Sequence, residues 1–200
     1  CKMITDQQIK MIFLSSGGTV YGNQEIQPIT EDALPRPINH YGNVKLCIEN
    51  TIRTFNYQAH TKILIARISN PYGPGQDFNK GVGFIDAAIK KTIRSEKIEI
   101  WGDGNNVRDY IYIDDVCRML ISLFYYQEDY DTFNISSNTG TSQRDVIQML
   151  EAMQLAPQVE YLPARSVDAK KIILNNERIM SIHAVPLVPV EQGIRKYYQW

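Results

Sequence analysis

Tyr41 and Lys45 are four residues apart in a stretch of sequence that is compatible with a helix. In a helix, two side chains at this spacing lie on the same face. A tyrosine is a poor base at neutral pH, but a nearby lysine cation stabilises its phenolate. The pair therefore predicts a proton-transfer catalyst, and a solvated surface pair without a catalytic role is the alternative.

Two apolar segments flank this pair and predict the strands that position it. Residues 10–15 are typical of a short buried strand that ends in a run of hydroxyls and glycines at 15–22, and residues 63–68 predict a strand that ends in the turn-rich run 69–75. Strand, helix and strand form a βαβ crossover, which brings both strand ends to one edge of a parallel sheet. Ligands bind at that edge in open α/β sheets.

The rest of the sequence contains further elements of an α/β fold. Ser142 and Asp145 form a capping-box pattern that predicts the start of a helix. The remaining predicted helices are 85–95, 114–126, 176–182 and a terminal helix from Val190, and the remaining strands are 98–101, 132–135 and 159–162.

Six segments occur in an order and spacing that is typical of one enzyme family. They are 15–22, Glu31 and Pro37 with Tyr41 and Lys45, 67–75, 102–115, 133–135, and Arg165 with Asp168. Together they resemble the extended short-chain dehydrogenase/reductases, specifically the NAD-dependent sugar-nucleotide epimerase/dehydratase family. The resemblance implies an α/β fold, the C-terminal part of a Rossmann-type parallel sheet with a small α/β substrate-capping domain.

The resemblance also implies a division into domains. Residues 1–77 and 132–153 would belong to the NAD-binding Rossmann domain, and residues 78–131 and 154–200 to the substrate-binding domain. The family's glycine-rich G-x-x-G-x-x-G turn, which binds the cofactor pyrophosphate, does not occur in this sequence. We therefore expect the chain to be a fragment that lacks the N-terminal, glycine-rich half and is inactive alone.

The catalytic roles follow from matching residues to the family. Tyr41 would be the general base for a sugar hydroxyl, and Lys45 would bind the nicotinamide ribose and stabilise the phenolate. Ser15 and Ser16, at the end of the first strand, would also contact the NAD cofactor. The implied reaction is epimerisation at C4 of a nucleotide sugar, UDP-glucose/galactose or the N-acetyl forms, through a transient 4-keto intermediate.

The third member of the family's site is a serine or threonine, and this sequence has Gly17 at that position. Thr19 is predicted to supply the hydroxyl instead, with Ser16 or a water molecule as alternatives. Dehydratases of the family carry an Asp and a Glu where this sequence has Gly18 and Thr19. Without those carboxylates, epimerisation is favoured over dehydration.

Substrate contacts are implied for three residues by the resemblance. Asn70 would contact the nucleotide diphosphate, and Arg108 and Arg165 would bind it with the bidentate contacts that phosphate favours. Ordinary ion pairs with neighbouring aspartates are the alternative for both arginines. Members of the family commonly pair through the helix that bears the tyrosine and lysine, so residues 43–56 are a candidate homodimer surface.

Composition narrows the function classes further. The 21 basic residues are balanced by 22 acidic ones, which gives no support to nucleic-acid binding by bulk charge. The sequence has no membrane-like apolar run, and its three cysteines and three histidines have no metal-ligand spacing. We expect a cytoplasmic enzyme without a metal; a nucleotide-sugar reductase or dehydratase and a truncated, non-catalytic binding module are the alternatives.

Overall fold

The computed structural model describes residues 10–76, 83–164 and 170–200, which form nine strands and seven helices. In chain order they are β1 (Ile12–Ser16), α1 (Gly17–Val20), α2 (His40–Ala59), β2 (Leu64–Ile68), β3 (Asn70–Tyr72), α3 (Phe84–Ile93), β4 (Lys97–Trp101), β5 (Val107–Tyr112), α4 (Ile113–Tyr125), β6 (Thr132–Ile135), β7 (Gly140–Ser142), α5 (Gln143–Ala152), β8 (Gln158–Leu162), β9 (Lys171–Ile172), α6 (Glu177–Met180) and α7 (Val190–Tyr198).

Strands β1, β2 and β6 form a three-stranded parallel sheet. Its order is β1, β2, β6, and Ser15 of β1 is in register with Arg67 of β2, which is in turn in register with Asn134 of β6. Helix α2 connects β1 to β2, so the predicted βαβ crossover and the α/β fold class are confirmed. The C-terminal ends of β1 and β2 therefore lie at the same edge of the sheet.

Helix α2 starts where its sequence provides a cap. The side chain of Asn39 accepts a hydrogen bond from the backbone N–H of Gly42 at 2.8 Å, which satisfies one of the unpaired donors of the first turn. The helix ends at Ala59, and the left-handed conformation of the next residue, His60 (φ 50°), stops the helical hydrogen-bond pattern. This cap fixes the first turn of α2, which contains Tyr41.

Strand β5 separates two cores because its side chains alternate between them. Ile111 packs with Ala66 and Phe133 of the three-stranded sheet, on the side that α4 covers. Tyr110 and Tyr112 face the other way, into a core built from α3, β4, α5 and α7. The structure thus places α5 in the second core and α4 against the first. The sequence-based division instead assigns 132–153, which includes α5, to the Rossmann domain and 78–131, which includes α4, to the substrate-binding domain. That division stays a prediction.

Within the described ranges, no helix combines the length and the apolar character that crossing a membrane requires.

Candidate active site

Tyr41 and Lys45 lie on one face of α2, and Lys45 contacts the middle of β1. The Lys45 ammonium nitrogen is 5.6 Å from the centroid of the Tyr41 ring and donates a hydrogen bond to the carbonyl oxygen of Leu14 at 2.8 Å. The Tyr41 side chain is 57% exposed. The lysine is therefore tied to the sheet, while the phenol next to it stays open to a ligand.

Helix α1 lies between this pair and the end of the next strand. A methyl group at Gly42 would be 2.6 Å from the carbonyl oxygen of Thr19, so the missing side chain lets α2 pack directly on the backbone of α1. Among the described residues, the Thr19 hydroxyl makes one long contact, 3.5 Å, to the carbonyl oxygen of Ser16. Thr19 is thus close to the start of α2, and its assignment as the third catalytic group stays a prediction.

Packing explains why position 17 is glycine. A methyl group there would be 2.3 Å from Cδ1 of Leu174 and 3.1 Å from the carbonyl oxygen of Arg67. Leu174 is fully buried. A serine at position 17 would therefore require a shift of this core side chain.

The two serines that were expected to contact the cofactor have different environments. Ser15 is buried, and its hydroxyl donates a hydrogen bond to Glu49 at 2.5 Å. Ser16 is half-buried and leads into α1. The hydroxyl of Ser15 is thus occupied by a protein partner, and cofactor contacts from Ser15 and Ser16 stay predictions.

A buried ion pair between Glu49 of α2 and Arg67 of β2 was not predicted from the sequence. Arg67 binds the Glu49 carboxylate through Nη2 at 2.7 Å and through Nε at 3.1 Å, and both residues are at most 1% exposed. A sequence signal does exist, because Glu49 follows Lys45 by four residues and Arg67 interrupts an apolar strand. Neither observation alone indicates that the two residues meet.

The charges of this pair are mutually stabilised. Burial tends to raise the pKa of Glu49, but the hydrogen bonds and charge of Arg67 and a hydrogen bond from Ser15 outweigh it and hold that pKa below its usual range. Burial tends to lower the pKa of Arg67, and its contacts with Glu49 and Tyr21 raise it instead. Both groups are therefore charged at neutral pH, and burial raises the pKa of Tyr21 to about 12, which keeps that phenol neutral.

A cavity of about 290 Å³ lies beyond α1, next to the second core. Its lining includes Asn70, Arg108 and Trp101. Asn70 also faces α1, since a methyl group at Gly18 would be 3.8 Å from the side-chain oxygen of Asn70. The structure thus brings Asn70 and Arg108 together at this cavity, and Arg165 lies outside the described residues.

We expect Gly42→Ala to destabilise the fold, although alanine usually favours a helix over glycine by roughly 0.5–1 kcal/mol. The added methyl group would overlap the backbone of Thr19, which cannot move aside as a flexible side chain can. A loss of about 1–3 kcal/mol in the free energy of unfolding is the expected result, measured by urea denaturation.

Asn43→Ala, at the next and exposed position of α2, is the matched control and should change stability by less than about 1 kcal/mol. Equal or greater stability of Gly42→Ala would show that α1 and α2 are not in the close contact described.

Comparison with known proteins places the chain in a family. Residues 1–136 match the model of the NAD dependent epimerase/dehydratase family. The chain therefore belongs to this family, whose members are NAD-dependent enzymes. The resemblance seen in the sequence is confirmed, and so is the implied cofactor, NAD.

Individual relatives differ in the reaction they catalyse. The chain is 28% identical to a putative UDP-glucose 4-epimerase of Methanocaldococcus jannaschii, over 96% of this chain and 62% of that protein. It is 33% identical to a dTDP-4-dehydro-6-deoxyglucose reductase of Escherichia coli, over 94% of this chain and 60% of that protein. The chain thus spans about three fifths of the length of these relatives.

Solved structures confirm the Rossmann-type fold. The chain superposes with a TM-score of 0.91 on UDP-glucose 4-epimerase of Thermotoga maritima with UDP-glucose, at 30% identity, covering 99% of this chain and 65% of that one. It superposes with a TM-score of 0.85 on UDP-glucuronic acid 4-epimerase of Bacillus cereus in complex with UDP-glucuronic acid and NAD, at 26% identity, covering 95% and 60%.

Proposed function

We propose that the polypeptide carrying this chain is a nucleotide-sugar 4-epimerase. The observation that carries the proposal is the placement of Tyr41 and Lys45 side by side on α2, whose start packs on the helix that directly follows β1. Tyr41 is exposed there, and Lys45 is bound to Leu14 in the middle of β1. A base with a neighbouring cation, open to a ligand at this edge of a parallel sheet, suits removal of a proton from a sugar hydroxyl.

The Tyr41–Lys45 pair also fits the NAD of the family. Lys45 has three N–H donors, and within the described part of the chain its bond to Leu14 uses one of them. The remaining donors suit the hydroxyls of the nicotinamide ribose. Bound there, NAD supplies a hydride acceptor that returns the hydride later in the same turnover.

The residues of this chain would then move one proton in each direction. Tyr41, as phenolate, removes the proton of the C4 hydroxyl while C4 loses hydride, which leaves a 4-keto sugar. After the ketone turns over in its pocket, Tyr41 returns the proton as hydride adds to the opposite face of C4. Lys45 stabilises the phenolate before the first transfer and after the second.

The cavity beside Asn70 is our proposed nucleotide site. Trp101 and Tyr110 offer aromatic surface for a base, and Arg108 offers a guanidinium for the diphosphate. Asn70 is held by a 3.0 Å hydrogen bond from its side-chain amide to the carbonyl oxygen of Asp109. Its side-chain oxygen faces Gly18 of α1.

Dehydration and reduction of a nucleotide sugar are the two alternative activities. Gly18 and Thr19 supply no carboxylate for removing water across C5 and C6, which argues against a dehydratase. A reductase of 4-keto nucleotide sugars is the second candidate, and the 33% identity to the Escherichia coli reductase favours it. A reductase would consume one NADH for each sugar, whereas an epimerase regenerates its cofactor.

We also propose that the enzyme acts in the cytoplasm as a homodimer that pairs through α2. Val44 and Ile48 support this arrangement, because both lie on the exposed side of α2 and are 56% and 38% exposed. Analytical ultracentrifugation of Val44→Glu should give a monomer if this surface forms the dimer.

The proposed function is tested with the full-length polypeptide, NAD and either UDP-galactose or UDP-N-acetylgalactosamine. We expect the C4 epimer to form without net change in NADH, as followed by NMR and absorbance. Stoichiometric oxidation of NADH with a 4-keto sugar and no inversion of UDP-galactose would establish the reductase instead.

A further inference from the structure

Side chains from two successive turns of α2 form hydrogen bonds with two successive residues of β1. Lys45 donates to the carbonyl oxygen of Leu14 at 2.8 Å, and one turn later Glu49 accepts the hydroxyl of Ser15 at 2.5 Å. Residues four apart lie on the same helix face, so these contacts act along one line. Together they fix both the height and the rotation of α2 over β1.

The contact between Glu49 and Ser15 is held in place by a buried ion pair between Glu49 and Arg67. Glu49 is 0% exposed, and Arg67, the register neighbour of Ser15 on β2, binds its carboxylate at 2.7 Å. Arg53, one turn further along α2, approaches the same carboxylate at 3.2 Å. Separating a buried ion pair leaves an uncompensated charge, so any slide of α2 along the sheet is strongly opposed.

The same ion pair also reaches the segment that contains Thr19. The guanidinium carbon of Arg67 lies 4.7 Å from the centroid of the Tyr21 ring, and Tyr21 directly follows α1. The Tyr21 hydroxyl donates to Asn134 of β6 at 2.7 Å. The Glu49–Arg67 pair therefore connects α2 to the sheet and to Tyr21, the residue that follows α1.

From these contacts we infer that Glu49 is a positioning residue for the Tyr41–Lys45 pair, holding α2 so that Lys45 stays on Leu14 and beside the Tyr41 ring. This role rests on the proposed function, since it concerns the same base and cation. Glu49 is fully buried, so it acts through the backbone of α2 and not by contact with a substrate.

A purely structural role for Glu49 predicts a different outcome. Loss of a structural contact lowers the fraction of folded protein, and the folded remainder then works with an unaltered pH profile. Loss of a positioning contact moves the Lys45 cation relative to the phenol, so the phenolate is stabilised less. The rise of kcat with pH then occurs at higher pH in the folded protein.

The test uses the full-length polypeptide with Glu49→Gln, which keeps the size of the side chain and removes its charge. We expect kcat to fall by about tenfold to a hundredfold, with KM for the nucleotide sugar within about twofold of the wild type. The pH at which kcat rises should shift upward. Glu49→Asp, which keeps the charge, should recover part of both effects.

Glu191→Gln is the matched control, because Glu191 also pairs with an arginine four residues later but is exposed. It should leave kcat and the pH profile unchanged. If Glu49→Gln does not fold, Arg67→Lys, which keeps the charge but loses the paired contact, is measured in the same way. An unshifted pH profile in whichever of these two variants folds overturns the inference.

A crystal structure of the same variant separates this inference from the proposed function. We expect Lys45 to lose its 2.8 Å hydrogen bond to Leu14 in Glu49→Gln, whatever reaction the wild type catalyses. Retention of that bond with Tyr41 in place contradicts the positioning role. Failure of the wild type to invert UDP-galactose would instead refute the proposed function alone.

Discussion

Tyr41→Phe is expected to lower kcat for C4 inversion by about 10²- to 10⁴-fold, because the variant lacks the oxygen that accepts and returns the proton. The fold should be unaffected, since the side chain is 57% exposed and the aromatic ring is retained. The KM for the nucleotide sugar should change little, because the hydroxyl contributes to proton transfer more than to binding. Steady-state kinetics and a thermal unfolding curve measure these effects.

Tyr57→Phe provides the matched control for this result. Tyr57 lies in the same helix, α2, and is 85% exposed. The variant loses the same atom far from the end of β1 and should retain full activity. A Tyr41→Phe enzyme with near wild-type kcat would exclude Tyr41 as the base.

Asp109→Asn is expected to cause a large loss of stability. One carboxylate oxygen accepts from the backbone N–H and the hydroxyl of Ser137, both at 2.8 Å, and from Ser69 at 3.4 Å. The other accepts from the backbone N–H groups of Asn138 and Leu174, each at 3.2 Å. Asparagine offers only one oxygen, so in either orientation its NH₂ group faces at least one buried N–H.

The expected cost is about 2–4 kcal/mol in the free energy of unfolding, because each unsatisfied buried donor costs roughly 1–3 kcal/mol. Urea denaturation measures it, and Asp129→Asn, at an exposed position, should stay within about 0.5 kcal/mol of the wild type. Because Asp109 adjoins Arg108, the folded fraction of Asp109→Asn should also bind nucleotide more weakly. A stability equal to that of Asp129→Asn would show that the five donors do not depend on the carboxylate.

The parts of the fold that sequence predicts well are those set by local patterns. The apolar run before Ser15 and the run 63–68 gave strands within one or two residues of β1 and β2. The capping box of Ser142 and Asp145 is present, with the Asp145 backbone N–H donating to the Ser142 hydroxyl at 3.0 Å. These features depend on residues at most a few positions apart, so the sequence contains the whole signal.

The short strands were not predicted because their partners are distant in sequence. Strand β9 has only two residues, Lys171 and Ile172, and it forms because it pairs with β5 in parallel. Strand β7 pairs with β5 in the antiparallel orientation. Such segments have too few residues for a periodic pattern. Tertiary pairing decides their conformation.

The site divides in the same way. The spacing of Tyr41 and Lys45 within one helix was sufficient to predict that they share a face. The contacts of Glu49 with Ser15 and Arg67 join residues 34 and 18 positions apart, and no local pattern encodes them. The sequence shows that Gly17 departs from the family pattern. The buried Leu174 that leaves no room for a side chain at position 17 is 157 positions away, so only the structure reveals it.

The most direct test of the central claim is the fate of a deuterium label at C4 of UDP-galactose, incubated with the full-length polypeptide and NAD. Hydride removal and return at one carbon predict UDP-glucose that retains deuterium at C4, with no net NADH and with product formed at least about 100-fold more slowly by Tyr41→Phe. Loss of the label to water, or a product that has lost water instead of inverting C4, would contradict the mechanism.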